Sequence, residues 1–299
     1  MKRSAATFAL TLLCVSAFAQ KGILTTYAAT WNGLQRSYSV YVPPNMPANP
    51  ALVMCLHQTA PALQNNPPTM LCPQGLGWEP NADIYGFLLV APIASWKASA
   101  TNKAGGWFFW EAYNTDADFP VPPDDSGFLR SLIQSLSVQY SVDPGKVFVT
   151  GMSSGAMMTH RMGIDSADLV SAIGPVSGSV WVGSSALPNS ALPVSVIEYH
   201  GDVDPIVKYC GGKLAAWDLI SPTPAVDADV DYWLAQDGVA PSAKTLCSNG
   251  TPTANVDVLD FKNGNVEVEF IRELNTAHTY RTALATAIWQ FFAAHGRSQ

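Results

Sequence analysis

The sequence predicts an α/β fold: a mainly parallel, open sheet flanked by helices on both faces. Three observations predict it. Apolar runs of strand length alternate with stretches of helical spacing along most of the 299 residues. Some runs, such as Ala51–Leu56, are apolar throughout, as strands buried on both faces are. One run, Val147–Thr150, leads straight into Gly151-Met152-Ser153-Ser154-Gly155 and then into a helix-forming stretch.

The third observation narrows the fold furthest. Gly-x-Ser-x-Gly between a strand and a helix is the sequence form of a nucleophile elbow, the strained turn of the α/β-hydrolase fold that lifts a serine hydroxyl clear of the sheet. Strand and helix pass close together there, so the residues two before and two after the serine must be small. Gly151 and Gly155 meet that need around Ser153, whereas Ser154 would put Met152 and Ala156 at those positions. The N-terminus of the following helix offers backbone N–H groups that can hold a developing oxyanion.

The remaining elements follow in chain order. Lys2 and Arg3, the apolar stretch Ala5–Ser16, and Ala17-Phe18-Ala19 before Gln20 read as a signal peptide over residues 1–19. The stretch is too short for a membrane span, and Leu13 before Cys14 argues against lipoprotein processing. Residues 20–299 then form a single catalytic domain. Arg36–Val42 alternates like an edge strand and stops at Pro43-Pro44. Ala51–Leu56 and Phe87–Ile93 are buried strands, and Gly127–Tyr140 has helical spacing through Phe128, Leu129, Leu132, Ile133 and Leu136. Beyond the elbow come a strand at Val194–Tyr199 and a helix at Val226–Ala235. Strands at Val256–Phe261 and Val266–Ile271 flank a turn, and an amphipathic helix runs over Thr282–Ala294. Two stretches read as irregular: Ala60–Trp78, rich in Pro, Asn and Gln, and Ser95–Asp125, which carries Trp96, Trp107, Phe108, Phe109, Trp110 and Tyr113. Long segments of this kind are binding loops or plugs over a secondary core, and both readings stay open.

Composition bounds the chemistry. Without Lys2 and Arg3 there are 14 basic and 23 acidic residues, a net charge of −9, and no cluster of Lys and Arg. Nucleic acid and anionic membrane surfaces are therefore excluded as expected partners. Four cysteines remain after the leader: Cys55, Cys72, Cys210 and Cys247. An even number in an exported protein suggests two disulfides, with three possible connectivities. Cys210 and Cys247 flank one segment and are the favoured pair; Cys55, in a core strand, has a buried free thiol as its alternative. The spacings do not suit zinc, and no metal or other cofactor is expected. Asn249-Gly250-Thr251 is a glycosylation sequon.

A serine nucleophile needs a base, and the base an orienting acid, in the chain order Ser, Asp or Glu, His. His278 follows the last predicted strand and is the expected base. His200 precedes the acid candidates, His295 ends a helix where it suits the helix dipole, and His160 falls on the helix after the elbow. Asp204 is the expected acid, with Asp202 in reserve; both follow the strand Val194–Tyr199. The backbone of Ser154 and that of Gln58 or Thr59 are the expected oxyanion donors, with His57 buttressing their loop. Trp107, Trp110, Trp181 and Tyr280 are the expected substrate-facing aromatics.

These residues resemble the secreted poly(3-hydroxybutyrate) depolymerase and feruloyl esterase family, which also includes acetylxylan esterases. The resemblance rests on Gln35–Pro43, Asp124-Asp125-Ser126-Gly127-Phe128, Val142–Val147, the elbow with Ala156-Met157-Met158, and Tyr199-His200-Gly201 through Asp204-Pro205-Ile206-Val207. It implies a serine esterase with the triad Ser153, Asp204 and His278, and it favours Asp204 over Asp202 because the family's acid precedes a proline. The chain departs from the family at Gln58, where glycine is usual, at Tyr280, where tryptophan is frequent, and at Lys208, often proline.

The expected function is a secreted carboxylic-ester hydrolase working through an acyl-enzyme, on feruloyl or acetyl esters of plant polysaccharide. A polyhydroxybutyrate depolymerase is the alternative, and the absence of a recognisable linker and binding module favours the smaller or soluble esters. A serine peptidase, or a non-catalytic binding protein on the same fold, are the rivals from other classes.

Overall fold

The computed structural model describes residues 20–61, 72, 76–98, 105–112, 123–180, 192–212, 223–239, 245–253 and 258–297. The predicted leader, Tyr113 and Trp181 lie outside them.

The strands are β1 (Ile23–Trp31), β2 (Leu34–Val42), β3 (Leu52–Leu56), β4 (Ala60–Pro61), β5 (Leu88–Pro92), β6 (Ser95–Ala98), β7 (Gly106–Phe109), β8 (Val147–Met152), β9 (Ala172–Val176), β10 (Ser195–Gly201), β11 (Cys247–Ser248), β12 (Thr251–Pro252), β13 (Val258–Asn263) and β14 (Val266–Glu273). The helices are α1 (Trp78–Tyr85), α2 (Asp125–Tyr140), α3 (Ser154–Asp165), α4 (Val226–Gln236) and α5 (Ala283–Ala294). One nine-stranded sheet runs in the order β1-β2-β5-β3-β8-β9-β10-β14-β13. Its centre, from β5 to β14, is parallel; β1, β2 and β13 add antiparallel margins.

Side-chain alternation divides the core. In β3, Leu52, Met54 and Leu56 join one apolar cluster, while Val53 and Cys55 join the other. The first cluster takes Phe128 and Ile133 of α2, Met158 of α3 and Trp233 of α4. The second takes Trp78 of α1 and Ile288 and Phe292 of α5. Helices thus cover both faces, which is why β3, β5 and β9 are apolar throughout.

Several expectations are corrected. Arg36–Val42 is not an edge, because β1 pairs outside it over its whole length. The aromatic stretch is not wholly irregular: β4, β7 and β6 form a small antiparallel sheet that pairs Trp107 with Lys97 and Pro61. Cys55 is not a free thiol. It is bonded to Cys72, and Cys210 to Cys247 as expected. Cys72 lies 17 residues on, beyond a stretch of no clear periodicity, so sequence offered nothing to bring it back to β3.

Asp237, which caps the C-terminus of α4, is buried; one carboxylate oxygen accepts from Val194 N at 3.0 Å and the other has no hydrogen-bond partner. Burial pushes this carboxyl up to about 7. Between pH ~4 and ~7 the unfolded chain has already released this proton and the native state holds it, so stability falls as pH rises across that window. Asp237→Asn keeps the acceptor and removes the titration. Thermal melts should therefore show the variant stabilised at pH 7–8 by roughly 2–4 kcal/mol, with the gain vanishing towards pH ~4.

Candidate active site

The elbow is present as the sequence required. Ser153, at the end of β8, has φ 56° and ψ −120°, a conformation that L-residues avoid, and its N–H is tied to Val176 O at 3.0 Å. Ser153 is half-buried where its neighbours Met152 and Ser154 are buried. The glycine requirement is steric: a Cβ on Gly155 would lie 2.2 Å from Leu56 O, and one on Gly151 2.5 Å from Gly155 O. The first α3 bond runs from Met157 N to Ser153 O, so the Ser154 amide has no partner within the helix.

The acid and base loops leave the carboxyl ends of β10 and β14, which are neighbours, and β10 is two strands (~10 Å) from β8. Asp204 Oδ2 accepts from His278 Nδ1 at 2.7 Å. Its other oxygen accepts from Ile206 N at 2.8 Å and Val207 N at 3.0 Å, so the carboxylate is fixed at both ends. Asp202 is engaged elsewhere: Arg272 of β14 donates to it through Nε at 3.1 Å and Nη2 at 2.8 Å. Asp202 is thereby held by a side chain 70 residues away, and Asp204 alone of the two is hydrogen-bonded to His278. The two loops touch at Gly201, where a Cβ would lie 2.2 Å from Thr276 O, and Val203 N donates to Thr276 O at 3.3 Å. The His278 loop is closed at its base by the ion pair of Glu273 with Arg281.

The loop after β3 is held from beneath. His57 is buried, and its Nε2 accepts from Ala94 N at 3.0 Å, so the proton sits on Nδ1 and is donated to Gln58 O at 2.5 Å. Burial pushes this imidazole down to about 4, and it stays neutral. Peptides are planar and trans, so with the Gln58 carbonyl turned to His57, the Thr59 N–H points the opposite way. The Thr59 hydroxyl donates to Ser154 Oγ at 3.0 Å, joining this loop to the elbow. Gln58 itself is exposed.

The aromatic expectations fare unevenly. Trp107 is half-buried on the small sheet. Trp110 faces inward: it is wholly buried, and its indole N–H donates to His57 O at 2.8 Å. Tyr280 is half-buried and packs against the α1/α5 core, and its hydroxyl accepts from Trp78 Nε1 at 3.1 Å. Both are props, one for the β3 loop and one for the His278 loop. An indole N–H must find a partner when buried, and neither partner is visible from spacing alone. His295 caps α5 as expected, with Nδ1 on Phe291 O at 2.8 Å. Sequence reasoning missed the Arg272 brace and a group of buried titratable side chains behind Asp204.

A strained serine after β8, with an acid–base pair after β10 and β14, defines a protein of the α/β-hydrolase class. Comparison with known proteins agrees. Residues 88–231 match the phospholipase/carboxylesterase family. Relatives include poly(3-hydroxyalkanoate) depolymerase C of Paucimonas lemoignei, 28% identical over 47% of this chain and 31% of that protein. An acetylxylan esterase of Coprinopsis cinerea is 32% identical over 50% of this chain and 35% of its own. The matched segments thus span about a third of these relatives' length. The solved acetyl xylan esterase from Aspergillus awamori superposes with TM-score 0.58 at 18% identity, over 90% of this chain and 99% of that one. The chain thus has the α/β-hydrolase fold, and parts of its sequence are similar to acetylxylan esterases and a polyhydroxyalkanoate depolymerase.

Proposed function

We propose that this protein is an exported serine carboxylic-ester hydrolase acting on acetyl or feruloyl esters of plant polysaccharide, with residues 20–299 as one catalytic domain. The observation that carries it is the Asp204–His278 hydrogen bond at 2.7 Å, on loops that follow β10 and β14 of the same sheet whose strand β8 leads into the positive-φ Ser153. With Nδ1–H held by Asp204, His278 presents Nε2 as a base. It takes the Ser153 proton as Oγ attacks the ester carbonyl. The N–H groups of Ser154 and Thr59 receive the oxyanion, Thr59 being preferred to Gln58 for its peptide orientation. The imidazolium then protonates the leaving alcohol. Water, deprotonated by His278, attacks the acyl-enzyme and releases the acid, restoring Ser153. Two disulfides fit an oxidising compartment, and among the described residues no helix is long and apolar enough to cross a membrane.

The polysaccharide substrate rests on the names of the relatives, among which acetylxylan esterases recur. A polyester is the second reading. It is favoured by the depolymerase relative and by Val203 and Leu274, 55% and 52% exposed on the loops that carry Asp204 and His278. These give the rim an apolar surface suited to an aliphatic chain.

The test is a fluorophosphonate probe, with the labelled peptide located by mass spectrometry, beside a panel of acetylated xylan, methyl ferulate, polyhydroxybutyrate particles and a peptide. Label on Ser153 with acetate or ferulate released supports the first reading; hydroxybutyrate release supports the second. An unlabelled, inactive protein overturns both. Within the same assay, Thr59→Val keeps the backbone donor but cuts the link to Ser154. It should lower kcat about tenfold with little change in KM, because the two donors lose their fixed spacing. Thr59→Ser should restore the rate.

A further inference from the structure

Behind the triad acid lies a line of buried groups with no place in the reaction as written. His160 of α3, Glu198 and His200 of β10, and Asp229 of α4 are each at most 2% exposed. His160, Glu198 and Asp229 bring ligand-type atoms within 4.8 Å of one another, the spacing of a metal site. The tautomer of His160 excludes that use. Its Nδ1 accepts from Trp233 Nε1 at 3.0 Å, and an indole nitrogen can only donate. The His160 proton therefore sits on Nε2, the nitrogen that faces Glu198 Oε2 at 3.8 Å. A protonated nitrogen cannot ligate a cation. The cluster is built to hold protons.

The remaining protons follow from the partners. Asp229 accepts from Val180 N through Oδ1 at 2.9 Å, while Oδ2 has no partner. Burial, with Glu198 nearby, holds Asp229 well above the usual carboxylate range. His200 Nε2 donates to Val207 O at 2.8 Å and lies 3.7 Å from Asp204 Oδ2, the oxygen that binds His278. Its Nδ1 lies 4.0 Å from Glu198 Oε1, and neither atom has a hydrogen-bond partner. The ring thus has a carboxylate at each nitrogen. Among the described residues the neighbouring candidates are spent: His160 is neutral, and Arg272, on the neighbouring strand, is already paired with Asp202. Tyr209, edge-on to His200 at 5.8 Å, is a phenol that burial keeps protonated.

We infer that His200 is a positioning residue of the triad: a buried imidazolium between Glu198 and Asp204 that braces the catalytic carboxylate from behind and sets the acid side of the pH profile. This rests on the serine-hydrolase reading above. Glu198 is its counter-ion, with the His160 N–H and the Asp229 carboxyl turned towards the same carboxylate. Burial alone would lower the His200 ring, but Glu198 outweighs that and holds it above its ordinary value. A positive charge behind Asp204 favours the aspartate anion and opposes a second positive charge on His278.

The test has an arm that needs no catalysis. In wild-type protein with ¹⁵N-labelled histidine, the His200 ring, assigned by triple resonance, should show both nitrogens protonated at pH 7. A neutral His200 at pH 7 overturns the inference whether or not the protein is an esterase. In the second arm, Glu198→Gln and His200→Gln each remove the charge behind Asp204. The acid limb of kcat/KM on a soluble p-nitrophenyl ester should move to higher pH by about 0.5–1 unit in either variant. An unmoved limb in a variant with native near-ultraviolet circular dichroism overturns it. Should neither variant fold, the wild-type spectrum decides. Fluorophosphonate labelling of Ser153, run alongside, reports separately on the hydrolase reading.

Discussion

Ester hydrolysis by the Ser153→Ala protein should fall about 10⁶-fold in kcat, that of Asp204→Asn about 10⁴-fold, and that of Asp202→Asn by no more than about threefold. The ordering is a sharp test because Asp202 and Asp204 are two residues apart on one loop, and both are mostly buried. Their partners separate them. In Asp204→Asn, the new amide keeps an oxygen for the Ile206 and Val207 N–H groups, which fix it at the place of Oδ1. It then turns an NH₂ towards His278, which can no longer donate from Nδ1 and must carry its proton on Nε2, where the base should be bare. Asp202→Asn loses only the ion pair to Arg272, which costs stability and leaves the base untouched. A loss for Asp202→Asn matching that for Asp204→Asn, with the fold intact, would mean that the loop rearranges around substrate and that the triad is misassigned. Steady-state rates on a p-nitrophenyl ester, with melting temperatures for each variant, provide the measurement.

Much of this site is legible in the chain, for a physical reason. The elbow imposes local constraints, a short apolar strand and two glycines fixed by backbone contacts under 3 Å, and local constraints leave local patterns. Chain order brings out the hydrogen-bonded pair Asp204 and His278 because each follows its own strand. What could not be read depends on partners far apart in sequence. β9, Ala172-Ile173-Gly174-Pro175-Val176, contains two residues that usually end strands, yet it is a buried central strand between β8 and β10. α1 has a proline at its third position and no clear apolar stripe, and only packing of Trp78 against Phe87 and Phe292 shows it as core. Trp110 looks like an exposed loop aromatic until its N–H is traced to His57 O. Burial of Glu198 and Asp229 has no sequence signal, since a carboxylate in an apolar run reads the same whether it faces solvent or the core.

The Asp124-Asp125-Ser126-Gly127-Phe128 segment shows how a structural motif can govern the site from a distance. Arg36→Met should destabilise the fold by about 3–5 kcal/mol and lower kcat along with it. Arg36 and Asp125 form an ion pair at 2.6 Å with side chains 2% and 0% exposed, and the guanidinium lies 4.2 Å over the Phe128 ring. Removing the cation leaves a buried anion uncompensated, which costs more than the pair is worth. That carboxylate also accepts from Ser95 Oγ at 3.1 Å and Glu111 N at 2.8 Å. The residues just before these two, Ala94 and Trp110, are the ones that hold His57, and His57 holds Gln58 O. An unbroken line of buried contacts therefore joins β2 to the loop carrying Thr59. Asp125→Asn retains an acceptor and loses only the charge, so it should cost less than Arg36→Met; Asp125→Leu also strands the Ser95 and Glu111 donors and should cost more. In a double-mutant cycle Arg36→Met with Asp125→Leu should be less destabilised than the sum of the single changes, since neither charge is then left alone. Denaturant titrations give the stabilities. If kcat, corrected for the folded fraction, stays at the wild-type value in Arg36→Met, the line of contacts stabilises the fold without placing the Thr59 loop.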